Sequence, residues 1–129
     1  MTKKINYESG YTAVATVLVI GAVVTAIAIS TSLLAISESQ QSLAEKKGYE
    51  ALYLAESCAE EALMQIYLDE NYNGGIVSLP TGNCTVTTVK NSNLWQLQVQ
   101  AEVSGYTKNI QVEADRSPPA INIINWQEI

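Results

Sequence analysis

The sequence predicts an α+β fold: one long N-terminal helix, its first half in a membrane, its second half packed on a small antiparallel β-meander. Three observations lead there. Residues 13–36 form an apolar run with no Asp, Glu, Lys, Arg, Asn or Gln. The following stretch, to about Leu68, repeats apolar residues at helical spacing. Beyond Cys84, apolar and polar residues alternate with the period of a strand.

The first ten residues, Met1-Thr2-Lys3-Lys4-Ile5-Asn6-Tyr7-Glu8-Ser9-Gly10, read as a short basic leader. A membrane segment then covers residues 11–36. Its apolar part, Ala13 to Ile36, is interrupted only by Thr16, Gly21, Thr25, Ser30, Thr31 and Ser32. As a helix those residues extend about 36 Å, more than the ~30 Å hydrocarbon core of a bilayer, so the segment spans with some tilt. A single span must satisfy its own backbone groups, which selects a helix. The run is longer than the apolar region of a secretory signal peptide, and no turn closes it. Lys3 and Lys4 before the span balance Lys46 and Lys47 after it. The terminal amine adds charge to the short side and Glu45 and Glu50 flank the later lysines, so the N-terminus is placed inside.

Residues 37–68 continue the helix. Ser37 to Lys47 is polar and free of proline. Gly48 is a weak point, costing about 1 kcal/mol relative to Ala, and a site for a kink. Leu52, Ala55, Ala59, Ala62 or Leu63, and Ile66 then recur at spacings of three and four. They form a narrow stripe of mostly small residues that must bury against something. Taken together, Tyr11 to Leu68 reads as one helix of about 58 residues, ~87 Å long.

Residues 69–83 read as a connecting loop. Asp69-Glu70-Asn71-Tyr72-Asn73-Gly74-Gly75 ends the helix with residues that tolerate left-handed backbone. Its oxygens lack the spacing and closing Glu of an EF-hand calcium loop, so no metal is expected. Residues 84–116 read as three strands. Cys84 opens the first, Asn91-Ser92-Asn93 turns into a second that alternates through Trp95, Leu97, Val99, Ala101 and Val103, and Ser104-Gly105 turns into a third with Ile110, Val112 and Ala114 facing in. The helical stripe is the natural cover for that face, and the Gln and Thr of the opposite face read as a solvated surface. Ser117-Pro118-Pro119 stops the sheet. The tail, residues 117–129, is too apolar for a disordered end; it returns as a fourth strand or docks on a neighbouring subunit.

Composition narrows the function. The chain has 129 residues and a net charge of −6. The portion beyond the apolar run is acidic, which argues against binding nucleic acid through its phosphates. There is no histidine, so the usual general base and commonest metal ligand are missing. No nucleophile elbow or phosphate loop is present. Glu60 and Glu61 point away from each other on a helix and make a poor catalytic dyad. Neither catalysis nor a cofactor is expected. The two cysteines, Cys58 and Cys84, lie outside the membrane and fit one disulfide in an oxidising compartment; the alternative is two buried thiols. A bridge across the 25 intervening residues would stabilise by roughly 3 kcal/mol.

Two stretches carry a resemblance. The first is Lys3-Lys4, a short polar leader, then Gly10-Tyr11-Thr12 and the apolar helix. The second is Ala51-Leu52-Tyr53-Leu54-Ala55-Glu56-Ser57-Cys58-Ala59-Glu60-Glu61-Ala62-Leu63. With the order helix, loop, meander, the chain resembles a type IV pilin or type II secretion pseudopilin, of the minor kind (PilX-like or K-type). The resemblance implies cleavage between Gly10 and Tyr11 by a prepilin peptidase, N-methylation of Tyr11, and assembly with other pilin subunits through the N-terminal helix, Thr12, Ala15 and Gly21 included. It implies an assembly platform protein as partner, and passage from a bacterial cytoplasmic membrane to a cell-surface filament. One departure is informative. Most pilins carry Glu at the fifth position after the cut, where it neutralises a buried amine on the adjacent subunit; an unpaired buried charge is expensive. Here that position is Ala15, as in tip pseudopilins, so a minor or tip subunit is expected. The alternative is an uncleaved single-span anchor carrying an extracytoplasmic binding module.

Overall fold

The computed structural model describes residues 7–129; the lysines of the leader, Lys3 and Lys4, lie outside the described residues. The fold is α+β. Helix α1 runs Tyr7–Leu68 and is followed by β1 (Gly74–Leu79), β2 (Gly82–Asn91), β3 (Leu94–Val103), β4 (Tyr106–Ser117) and β5 (Ala120–Glu128). The strands form one antiparallel sheet in the order β1-β2-β3-β4-β5. The chain divides after Ser42 into two units.

In the first unit the helix already includes Tyr7–Gly10, ahead of the expected start at Tyr11; these residues contain no proline. None of the described side chains of this unit is buried.

The second unit, Leu43–Ile129, contains all the buried side chains among the described residues. The helix continues through Gly48. Its core face is Ala51, Leu54, Ala55, Cys58, Ala59, Ala62 and Ile66. The expected stripe is thus correct in period but rotated slightly, with Leu52 only half-buried. The sheet supplies Cys84, Val86, Trp95, Leu97, Val99, Ala101, Ile110, Val112 and Ala114. Five of the seven helix positions are Ala or Cys, which lets the helix backbone sit close to the bulky side chains of the sheet.

All four hairpins use two-residue loops, the shortest that reverse a strand. At Ser104-Gly105 both residues have positive φ, as the favoured type I′ turn requires. The expected loop 69–83 is largely replaced by β1. Gly74 opens that strand rather than closing the helix; its φ is +80°, and a Cβ there would press on the Val86 carbonyl oxygen of β2. The first expected strand is therefore the second, and it opens at Gly82 rather than Cys84. Gly82 in turn leaves room for Leu54 of the helix, whose Cδ2 would lie 2.9 Å from a Cβ.

The tail does return to the sheet, as a fifth strand rather than a fourth. Trp126 pairs with Val112 and Ile123 with Ala114, with a register shift between Glu113 and Ala114. The shift inserts Ile124 as an extra residue, so Ile121, Ile123 and Trp126 all lie on the helix side of the sheet although their spacing is not uniform. Beyond the helix end, the Arg116 side chain donates through Nε to the Ile66 carbonyl at 3.0 Å, satisfying one of the free carbonyls of the last turn.

Cys58 and Cys84 form a disulfide between helix and β2. Both are buried, so the bridge crosses the core rather than its rim. Replacing both by Ala should lower unfolding stability by about 2–4 kcal/mol, measured by urea unfolding of the full chain in detergent; an unchanged midpoint would show that packing alone fixes the helix on the sheet.

Candidate functional site

The residues on which the resemblance places processing and assembly lie at the start of α1. Gly10 and Tyr11 are exposed, Tyr11 at 79%. Both lie within helix α1.

Gly10 is not explained by packing. A Cβ built on it meets no heavy atom within 4 Å, and the same holds for Gly21 and Gly48. A helical glycine costs about 1 kcal/mol relative to Ala, and no packing contact among the described residues calls for one at these positions.

Thr12 and Ala15 are three residues apart and share one face, with Tyr11, Thr16, Val19 and Ile20 around them in a shallow apolar depression of about 400 Å³. Gly21 lies nine residues from Thr12, roughly 180° around the helix. The three assembly positions therefore do not make one surface: Thr12 and Ala15 belong to one side and Gly21 to the other. Ala15 offers no charge, and among the described residues the membrane stretch itself contains no ionisable side chain beyond Tyr11.

The hydroxyl groups of the run are turned inward on the helix. Thr12 donates to the Glu8 carbonyl at 2.9 Å, Thr16 to Thr12 at 2.8 Å, and Thr25 to Gly21 at 2.7 Å. Ser30 donates to Ala26 at 2.8 Å, Thr31 to Ile27 and Ala28, and Ser32 to Ala28 at 2.8 Å. Each bond reaches back three or four residues to an already bonded carbonyl. No hydroxyl in the run needs water, so the polar interruptions do not count against hydrocarbon. The stretch is long and apolar enough to cross a membrane, and none of it is buried within the protein. It is compatible with a single-pass anchor.

Among the described residues no group of three or more His, Cys, Asp or Glu side chains is placed to hold a metal. The disulfide removes both thiols from any reactive role. Glu70 accepts from Lys90 at 3.4 Å and lies 3.8 Å from Arg116; these exposed contacts link the helix end to β2 and β4 and contribute little each. Sequence reasoning did not single out Tyr49 and Tyr53, which stand on the outside of the helix beside a groove; their helical spacing was visible, but the other walls of the groove come from distant turns.

Compared with family models, curated proteins and solved structures, the chain gives no match. The likeness to pilins thus stands on the residues themselves.

An acidic substitution at the middle of the run tests its solvent. Val24→Asp should make membrane integration less favourable by about 3 kcal/mol, read as the fraction of chain extracted from membranes by carbonate. Equal retention of the variant would show that this stretch is held by something other than lipid.

Proposed function

We propose that this protein is a structural subunit, minor or at the tip, of a type IV pilus or type II secretion-like filament. In this reading it is inserted as a single-span precursor with its N-terminus inside, cut after Gly10 by a prepilin peptidase, methylated at Tyr11, and drawn by an assembly platform protein into a bundle with other subunits.

One observation carries the proposal. None of the apolar stretch 13–36 is buried, and all but Ala15 is exposed, while the core of the second unit is built from residues at or beyond Ala51. Such a run leaves a large apolar surface for a surrounding medium. A helix that is apolar all round can leave lipid for a bundle of similar helices without exposing that surface to water. Gly21, which no internal contact explains, would allow such helices to approach closely. The glycine at the proposed cut likewise has no packing contact among the described residues that calls for it.

A second reading is favoured by one specific feature. Ala15 provides no carboxylate for the terminal amine of a neighbour. An uncleaved anchor presenting an acidic, disulfide-bridged module would use the same residues without a filament.

Gly10→Val separates the two. A Cβ at position 10 meets no heavy atom within 4 Å, and the core of the second unit lies at or beyond Ala51, so the second unit should unfold at the same temperature as before. In cells with the cognate peptidase, the variant should stay in the membrane at precursor mass, and it should vanish from the filament fraction sheared from the cell surface. Equal recovery of the variant and the native chain in that fraction would overturn the filament reading.

A further inference from the structure

Asn73 and Gly74 form the only Asn-Gly step in the sequence. Asn73 lies between the helix end and β1, outside both, and is exposed. Among the described residues its side chain makes no hydrogen bond; the bonds of this connection belong to Asp69, Glu70 and Lys90. The residue after it is held to glycine by its surroundings. Gly74 has a φ of +80°, and a Cβ there would press on the Val86 carbonyl oxygen.

The ladder leaves the Gly74 amide free. Leu79 and Gly82 flank the two-residue turn of the first hairpin and exchange its closing hydrogen bonds. Bonded and non-bonded positions alternate along an antiparallel pair. Val77 with Cys84 and Gly75 with Val86 are therefore bonded pairs, and Gly74 with Thr87 is not. Since β1 is an edge strand, the Gly74 N–H is directed away from β2, toward the open edge. No backbone bond outside the ladder takes it. A groove of about 400 Å³ with Tyr72 and Gly74 in its wall admits water beside it.

We propose that Asn73 is a site of intramolecular modification, converting to aspartate and isoaspartate. The Gly74 nitrogen, its proton lost to base in the solvent, attacks Cγ of Asn73. A bond forms between that nitrogen and Cγ, closing a succinimide ring; the bond from Cγ to Nδ2 breaks, and ammonia leaves. One water then opens the ring. Addition at Cγ restores the original main chain and gives aspartate. Addition at the main-chain carbonyl carbon gives isoaspartate. Nothing is oxidised or reduced, and water is the only co-reactant. Glycine suits the attack because no Cβ crowds the nitrogen, and both groups already lie in one chain.

Either product places a new carboxylate three residues from Glu70, which holds Lys90 and lies beside Arg116. Isoaspartate also lengthens the main chain by a CH2 group immediately ahead of β1. The site lies wholly within the second unit and is the same whether or not the chain is cut after Gly10.

The test incubates the full chain in detergent at physiological temperature and mildly alkaline pH, beside a synthetic peptide of residues 69–77. Digestion and mass spectrometry follow the exchange of NH for O at each asparagine, and an isoaspartyl methyltransferase labels the isoaspartyl form. Asn73 should convert about tenfold faster than Asn91, which precedes the small Ser92 of the β2–β3 turn. Its rate should be close to that of the peptide. Isoaspartyl label should appear in the native chain and be largely lost in Asn73→Gln, whose longer side chain must close a larger ring. An unchanged unfolding temperature verifies that this variant is folded. A native chain that keeps Asn73 intact while the peptide converts would show that the fold holds the Gly74 amide, and would overturn the proposal. So would equal conversion at Asn73 and Asn91, or undiminished label in Asn73→Gln.

Discussion

The structure depends on a row of small side chains. Ala51, Ala55, Cys58, Ala59 and Ala62 are all fully buried, and they allow one helix to cover the apolar face of a sheet carrying Trp95, Leu97, Val99, Ile110 and Val112. Larger residues there would lift the helix and open voids; fewer apolar ones would leave the sheet face wet. The disulfide from Cys58 fixes this contact from within the row itself. Because the core closes with residues 51 onward, the preceding helix is left with no internal task. That division of labour is the physical basis for reading residues 13–36 as a surface for lipid or for other helices.

The same economy shapes the rest of the second unit. A single helix covers the middle of a five-stranded sheet better than its margins, and Ile123 on β5 remains 53% exposed although it lies on the helix side. Short turns keep the strands together: each hairpin reverses in two residues. The helix end is held by Arg116 and, more weakly, by Glu70 with Lys90. The ion pairs of the unit among the described residues are few: Glu70 with Lys90 and Arg116 near the helix end, and Lys108 with Glu128 between β4 and β5.

Much of this was legible in the sequence, for identifiable reasons. The apolar stretch has no ambiguity of period because it has no polar face. Strands β3 and β4 alternate without interruption from Trp95 to Val103 and from Ile110 to Ala114, and the structure keeps both. The pairing of Cys58 with Cys84 followed from one cysteine on the helix and one at the sheet. Three features were obscured. β1 begins with two glycines, which read as a turn until the Val86 carbonyl shows why a side chain is excluded at Gly74. β5 loses its alternation at the bulge, so Ile123, Ile124 and Trp126 carry no clean period. The core face of the helix was displaced toward Leu52 because alanine gives a weak hydropathic signal, and only the sheet decides which alanines are buried. The groove beside Tyr49 and Tyr53 could not be read at all, since Thr81 and Val103 reach it through hairpin turns. At the N-terminus, Gly10 and Tyr11 were singled out as a processing site, and the structure shows them exposed on a helix that already includes Tyr7–Gly10.

The central claim is that the exposed N-terminal helix is a processed assembly element, and that the glycine at position 10 is read by an enzyme. The most direct measurement is the intact mass and N-terminal sequence of the protein recovered from its native membrane or surface fraction. The account predicts a chain that starts at Tyr11 with a methylated amine. A chain that starts at Met1, in cells that contain the cognate peptidase, would contradict it and leave a membrane-anchored module.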